Sequence, residues 1–239
     1  MAEYSTVSKI KAWSVHLFTA TGVLAAFWAI VSIGRGDLRM GLICLLIAQL
    51  IDALDGSFAR YYKVKEVLPQ VDGKMIDAVI DFSTYALIPA YLFYAAGLCS
   101  APWDMIAVVS MLMASALYYG LPGMVTEDLH FKGFPVLWNF AVGYMLVVLH
   151  WPSWANFGLV ILLSIWHFVP TKFLYPSRTQ KNFFLTLGVL LIMGIAILRL
   201  IFIFPVEEIS CRIICLAGGL YYLGMSIWNS LKPVKISEK

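Results

Sequence analysis

The sequence predicts an all-α integral membrane bundle of about eight helices, folded as a single domain. Three observations predict it. Of the 239 residues, 61% are hydrophobic and 13% charged, whereas a soluble domain is about 45–50% apolar and about 25% charged. The mean hydropathy is +0.83. Apolar stretches of spanning length recur from one end of the chain to the other, separated by short polar turns. This composition excludes a water-soluble enzyme, a disordered chain, a coiled coil and a disulfide scaffold. The net charge of +3, with no dense basic run, leaves no nucleic-acid partner.

The first apolar stretch, Trp13 to Ile33, is 21 residues long and reads as a true span, not a cleavable signal. Before it, residues 1–12 form a cytoplasmic juxtamembrane segment, in which Glu3 to Lys11 fits a short amphipathic surface helix. Further spans are expected over 38–60, 76–97, 103–122, 134–150, 154–174, 183–204 and 211–231. Tight turns at 34–37, 150–153 and 205–208 close one side of the bundle; longer, more polar loops at 61–75, 123–133 and 175–182 close the other.

An even number of spans places both termini on one side. With the helix ends that flank it, that side holds 13 of the 17 basic residues, leaving Arg35, Arg39, Arg199 and Arg212 toward the other. Short basic loops stay in the cytoplasm, so both termini and the longer loops are expected there. Most tryptophans fall near span ends, as an interfacial belt would place them. Cys44, Cys99, Cys211 and Cys215 lack zinc-site spacing and read as small packing residues. No prenylation box ends the sequence and no repeat divides it.

The informative residues sit where a membrane helix should avoid them. The second span ends Asp52-x-x-Asp55-Gly56-x-x-Ala59-Arg60, and the third begins Gly73-x-x-x-Asp77-x-x-x-Asp81. At 100° per residue the five positions of the second span share an arc of about 140°. Gly73, Asp77 and Asp81 share a face by their i, i+4 spacing. The two helices, within 38–97, run antiparallel, so the stripes can face each other. Asp52 lies about 12 Å inside Arg60 along the helix axis.

A carboxylate costs on the order of 2.5–3.5 kcal/mol at mid-span, so something must offset four of them. Arg60 can neutralise one, and divalent cations the rest. Hard oxygen donors suit Mg²⁺ or Mn²⁺. Two such ions about 3.5–4 Å apart can clamp the oxygens of an in-line phosphoryl displacement. A proton or sodium relay in a transporter also uses buried Asp residues. Gly56 and Gly73, with Ala59, read as surfaces cleared for a ligand, although helix packing uses small residues in the same way.

These residues resemble the signature of the CDP-alcohol phosphotransferases, matching all eight fixed positions. The twelve-residue gap between the two halves and the eight spans are similar to the bacterial phosphatidylcholine synthases. So are the later stretches Gly133-Phe134-Pro135-x-x-Trp138-Asn139 and Leu174-Tyr175-Pro176-Ser177-Arg178.

The resemblance implies condensation of CDP-diacylglycerol with choline to give phosphatidylcholine and CMP, using two divalent cations, Mn²⁺ or Mg²⁺. It implies that Asp52, Asp55, Asp77 and Asp81 hold the metals and that Asp81 also acts as the catalytic base on the choline hydroxyl. Gly56, Ala59 and Gly73 would make room for the CDP moiety, and Arg60 would orient the acidic cluster or the pyrophosphate. A homodimer is implied as well, and short loops with a compact form fit a bacterial inner membrane.

A quaternary ammonium calls for aromatic faces. Tyr85, Tyr118, Tyr119, Trp138 and Trp166 are the candidates, with Tyr85 and Trp138 foremost and Asn139 beside the hydroxyl. Arg178, ahead of Lys132, Lys172 and Lys181, is the candidate for a lipid phosphate. The four histidines show no ligand spacing, and none is given a role. Transfer to serine, inositol or glycerol phosphate would need a hydrogen-bonding or basic acceptor pocket instead. A membrane prenyltransferase would carry a second, separate Asp-rich motif. A transporter would spread polar residues over several spans.

Overall fold

The computed structural model describes residues 4–121, 131–173 and 183–230. Ten α-helices make up almost all of it. Helix α1 (Thr6–Gly34) starts at Ser5, whose side chain accepts from the Ser8 N–H. A turn through Gly36, at φ +80°, leads to Asp37, which caps α2 (Leu38–Tyr61) by accepting from the Met40 N–H at 2.9 Å. The short α3 (Val64–Val67) breaks the loop that follows. Asp72 then accepts from Lys74 and Met75 and starts α4 (Gly73–Asp81).

Helix α4 does not end at Asp81. It widens into a π turn over Phe82–Leu87 and continues as α5 (Ile88–Ala95). Pro89 lies just beyond the π turn. A proline inside a helix removes one N–H and collides with the carbonyl four residues back. A wider turn at that point lets the helix run on, and such turns recur at functional sites.

Helices α6 (Trp103–Tyr119), α7 (Trp138–Tyr144), α8 (Ser153–Trp166), α9 (Phe183–Ile203) and α10 (Ile209–Ser230) follow. Helix α7 also runs into a π turn, Met145–Leu149, which stops at His150 in the left-handed region. An antiparallel pair of two-residue strands, β1 (Phe131–Lys132) and β2 (Lys172–Phe173), ties two loops together. The sequence reading expects helix at 134–137 and 167–174, the last of these residues lying outside the described ones. In the structure, helix starts only at Trp138 in the first segment and stops at Trp166 in the second, with β2 beyond it.

The main core gathers Ala29, Leu42, Phe93, Met111, Trp138 and Leu200 from six helices. A smaller cluster of Ala12, Val15, Val64, Val67 and Leu68 seats α3 under α1. Around these cores the surface is apolar: Leu24, Phe27 and Trp28 on α1, and Leu191, Ile192 and Ile195 on α9, are exposed. Five helical stretches, Thr6–Gly34, Leu38–Tyr61, Gly73–Ala95, Phe183–Ile203 and Ile209–Trp228, are long and apolar enough to cross a membrane. Water is no solvent for such a surface, and lipid is. The protein is an integral membrane helix bundle.

Candidate active site

Helices α2 and α4 carry the site. Asp52 and Asp55 are three residues apart on α2, so they project from neighbouring turns of one face. Asp77 projects from α4. One carboxylate oxygen from each of Asp52, Asp55 and Asp77 lies within 4.8 Å of the other two. That converging set of hard oxygen donors, with Asp55 only 7% exposed, is able to hold a divalent cation. Three like charges at this spacing repel strongly unless a cation or a proton intervenes.

Asp81, one helical turn beyond Asp77, is not one of the three. Its Oδ1 is buried and has no hydrogen-bond partner among the described residues, which leaves a strong acceptor unused beside the cluster. Tyr85 lies a further turn along, within the π segment, and its hydroxyl donates to Asp52 Oδ2 at 2.6 Å. The chain therefore bonds α4–α5 back onto the metal-capable carboxylate of α2. Tyr119, at the end of α6, stands near enough to Asp81 and Asp52 to feel their charges. Its ring meets Phe82 edge-on at 6.0 Å. Sequence reasoning gave Tyr85 to choline; the structure gives its hydroxyl to Asp52.

Arg60 is exposed and donates from Nη2 to Ser57 Oγ at 3.2 Å, and no ion pair joins it to a carboxylate among the described residues. Its guanidinium turns back along its own helix toward Ser57, and its positive charge still acts on Asp55 without a direct ion pair. Over Gly56 the nearest group to an added Cβ would be Arg60 Nη1, at 3.4 Å. Ala59 packs against the small cluster under α1.

Helix α1 backs the site. An added Cβ at Gly22 would lie 2.9 Å from Ile80 Cγ2, so α1 and α4 touch closely there. Two polar residues of the same stretch of α1, His16 and Thr19, are buried. The Thr19 hydroxyl approaches Asp55, and the His16 ring fills the notch at Gly73. Sequence reasoning missed both. Their i, i+3 spacing places them on one face of α1, but nothing in that span says which helix the face meets.

Trp138 and Asn139 lie elsewhere. Trp138 is 0% exposed. Its indole N–H donates to Ser115 Oγ at 2.9 Å, and its ring stacks on His167 at 5.6 Å. No face of that ring is free for a cation, which corrects its assignment to choline: the turn at Gly133 and helices α6 and α8 enclose it. Asn139 lines an apolar cavity of about 40 Å³ with Leu42, Leu45, Gln49 and Ile201. Tyr118 donates to the Lys132 carbonyl and Trp166 to Thr171. Arg178 and Lys181 lie outside the described residues.

No protein-family model matches the chain. Curated relatives do. A phosphatidylcholine synthase of Rhizobium meliloti is 38% identical over 189 residues, spanning 79% of this chain and 78% of that one. Another, from Pseudomonas aeruginosa, is 34% identical over 227 residues, 95% of this chain and 94% of its own. The chain belongs to the phosphatidylcholine synthase family. A Borreliella burgdorferi member, 33% identical over 175 residues, covers 73% of this chain and 74% of its own. The family resemblance carried by the two Asp-rich stretches thus extends along nearly the whole bundle.

Proposed function

We propose that this protein is a membrane-embedded phosphatidyltransferase that condenses CDP-diacylglycerol with choline, releasing phosphatidylcholine and CMP. The observation that carries the reading is the convergence of Asp52, Asp55 and Asp77 from two apolar helices, in a chain whose relatives are named phosphatidylcholine synthase. Divalent cations bound there, Mn²⁺ or Mg²⁺, would neutralise the pyrophosphate and the phosphate of the departing CMP.

The chain's own residues supply the rest. Tyr85 holds Asp52 in one orientation through its hydroxyl, as outer hydrogen bonds do for ligating carboxylates. Asp81, whose Oδ1 is buried and unpaired among the described residues, takes the proton of the choline hydroxyl. The choline oxygen then bonds to the lipid-side phosphorus as the bond from that phosphorus to CMP breaks. Such a transfer is governed mostly by positioning and charge neutralisation. Tyr119, paired edge-on with Phe82 near Asp81, offers an aromatic face to the quaternary ammonium.

The described residues hold eight apolar helical segments once α4–α5 and the π turn after α7 are each read as continuous. We take all eight as spans, with both termini and the carboxylate site toward the cytoplasm of a bacterial inner membrane; the distribution of basic residues supports that orientation. A homodimer rests on the resemblance alone, and light scattering in detergent tests it.

The deciding assay supplies purified protein with CDP-diacylglycerol and Mn²⁺ and offers choline, serine, inositol or glycerol phosphate singly. CMP release with choline alone, abolished by EDTA, is expected. Release with another alcohol instead would discard choline as the acceptor.

A further inference from the structure

Gly73 is the signature glycine read as room for the nucleotide, yet in the structure a side chain already occupies that room. A Cβ at position 73 would lie 2.9 Å from His16 Cε1 and 3.5 Å from its Nδ1. The imidazole is 7% exposed, and its Nε2 is buried without a hydrogen-bond partner among the described residues. Trp13 meets the ring edge-on at 6.0 Å. A ring nitrogen buried unpaired is unfavourable and calls for a partner from outside the chain or a functional role.

The placement says which ligand. Gly73 is four residues before Asp77, so His16 stands about 6 Å from the carboxylate cluster along α4, on its loop side. On the functional reading above, on which this inference rests, the pyrophosphate lies at the cluster and the acyl chains lie in the bilayer. The nucleoside end must then leave past Gly73 and His16. We infer that His16 is a nucleotide-binding residue, its Nε2–H donating to an oxygen of the CMP moiety. Gly73 is small because it seats this imidazole. His16 thereby joins helix α1 to a site otherwise built on α2 and α4.

The test is CMP binding by calorimetry to the full-length protein in detergent with Mn²⁺, which needs no turnover. His16→Ala should weaken CMP at least about tenfold, and His16→Gln, which offers an amide N–H at similar reach, should recover part of the loss. Gly73→Ala should weaken CMP by displacing the ring, and should add nothing once His16 is Ala, because coupled residues are not additive.

Wild-type affinity in His16→Ala would overturn the inference. So would a Gly73→Ala loss of undiminished size in the His16→Ala background, which would place the nucleotide directly on Gly73. Melting temperatures identify any variant that fails to fold; the inference is then judged on His16→Gln. A wild type that binds CMP but transfers nothing to choline overturns the proposed function alone. A wild type that binds no CMP overturns both.

Discussion

Replacing Tyr85 by Phe removes one hydroxyl and little else. The ring is nearly buried and keeps its packing, while the 2.6 Å bond to Asp52 Oδ2 disappears. A hydrogen bond to a charged group contributes about 1.5–3 kcal/mol, equivalent to roughly 10–150-fold in an equilibrium constant. Loss of an outer partner of a metal ligand weakens metal binding by about 10–100-fold. The two ranges agree, so the Mn²⁺ concentration for half-maximal CMP release should rise at least about tenfold in Tyr85→Phe. The KM for choline, measured at saturating Mn²⁺, should stay within about twofold of wild type, since a loss that saturating metal restores leaves acceptor binding untouched. The assay is CMP release across a Mn²⁺ titration, with a parallel choline titration at the highest Mn²⁺. An unchanged Mn²⁺ requirement with a raised choline KM would refute the reasoning and return Tyr85 to the acceptor pocket.

Other substitutions separate the remaining roles. Asp81→Asn should abolish transfer while CDP-diacylglycerol still binds with Mn²⁺; lost binding would remove Asp81 from the role of base. Trp138→Ala should lower the melting temperature, since deleting a fully buried Trp costs about 3–5 kcal/mol. The choline KM of its folded fraction should not move, and a selective rise would put Trp138 back at the acceptor. Tyr119→Leu should raise the choline KM at constant Mn²⁺ and CDP-diacylglycerol requirement. An equal rise for both substrates would reduce Tyr119 to packing.

The carboxylate cluster was legible because its geometry is local. Asp52 and Asp55 share one helix face by spacing alone, and Asp77 sits at the start of the next long helix after a short link. Two antiparallel neighbours leave few ways for those faces to miss each other. What was illegible depends on contacts between distant segments. Trp138 reads as a choline aromatic from its place near a span end, but Ser115 and His167 enclose it from α6 and the end of α8. Tyr85 continues the Asp77–Asp81 stripe by counting, yet the π turn before Pro89 decides where its hydroxyl reaches. His16 gained its place only when α1 packed against α4, a pairing no periodicity in α1 announces. The spans themselves were legible from apolar length, and their ends were not, because segments 134–150 and 154–174 mix helix with the loops that carry β1 and β2.

The central claim is that choline-dependent lipid synthesis runs on the three converging carboxylates. The most direct measurement is incorporation of labelled choline into lipid from CDP-diacylglycerol, followed against Mn²⁺ in wild type and in Asp77→Asn. Labelled phosphatidylcholine should form in step with CMP, rise with Mn²⁺ from a zero baseline, and be absent in Asp77→Asn at every concentration. Incorporation that persists in EDTA, or in Asp77→Asn, would contradict the account.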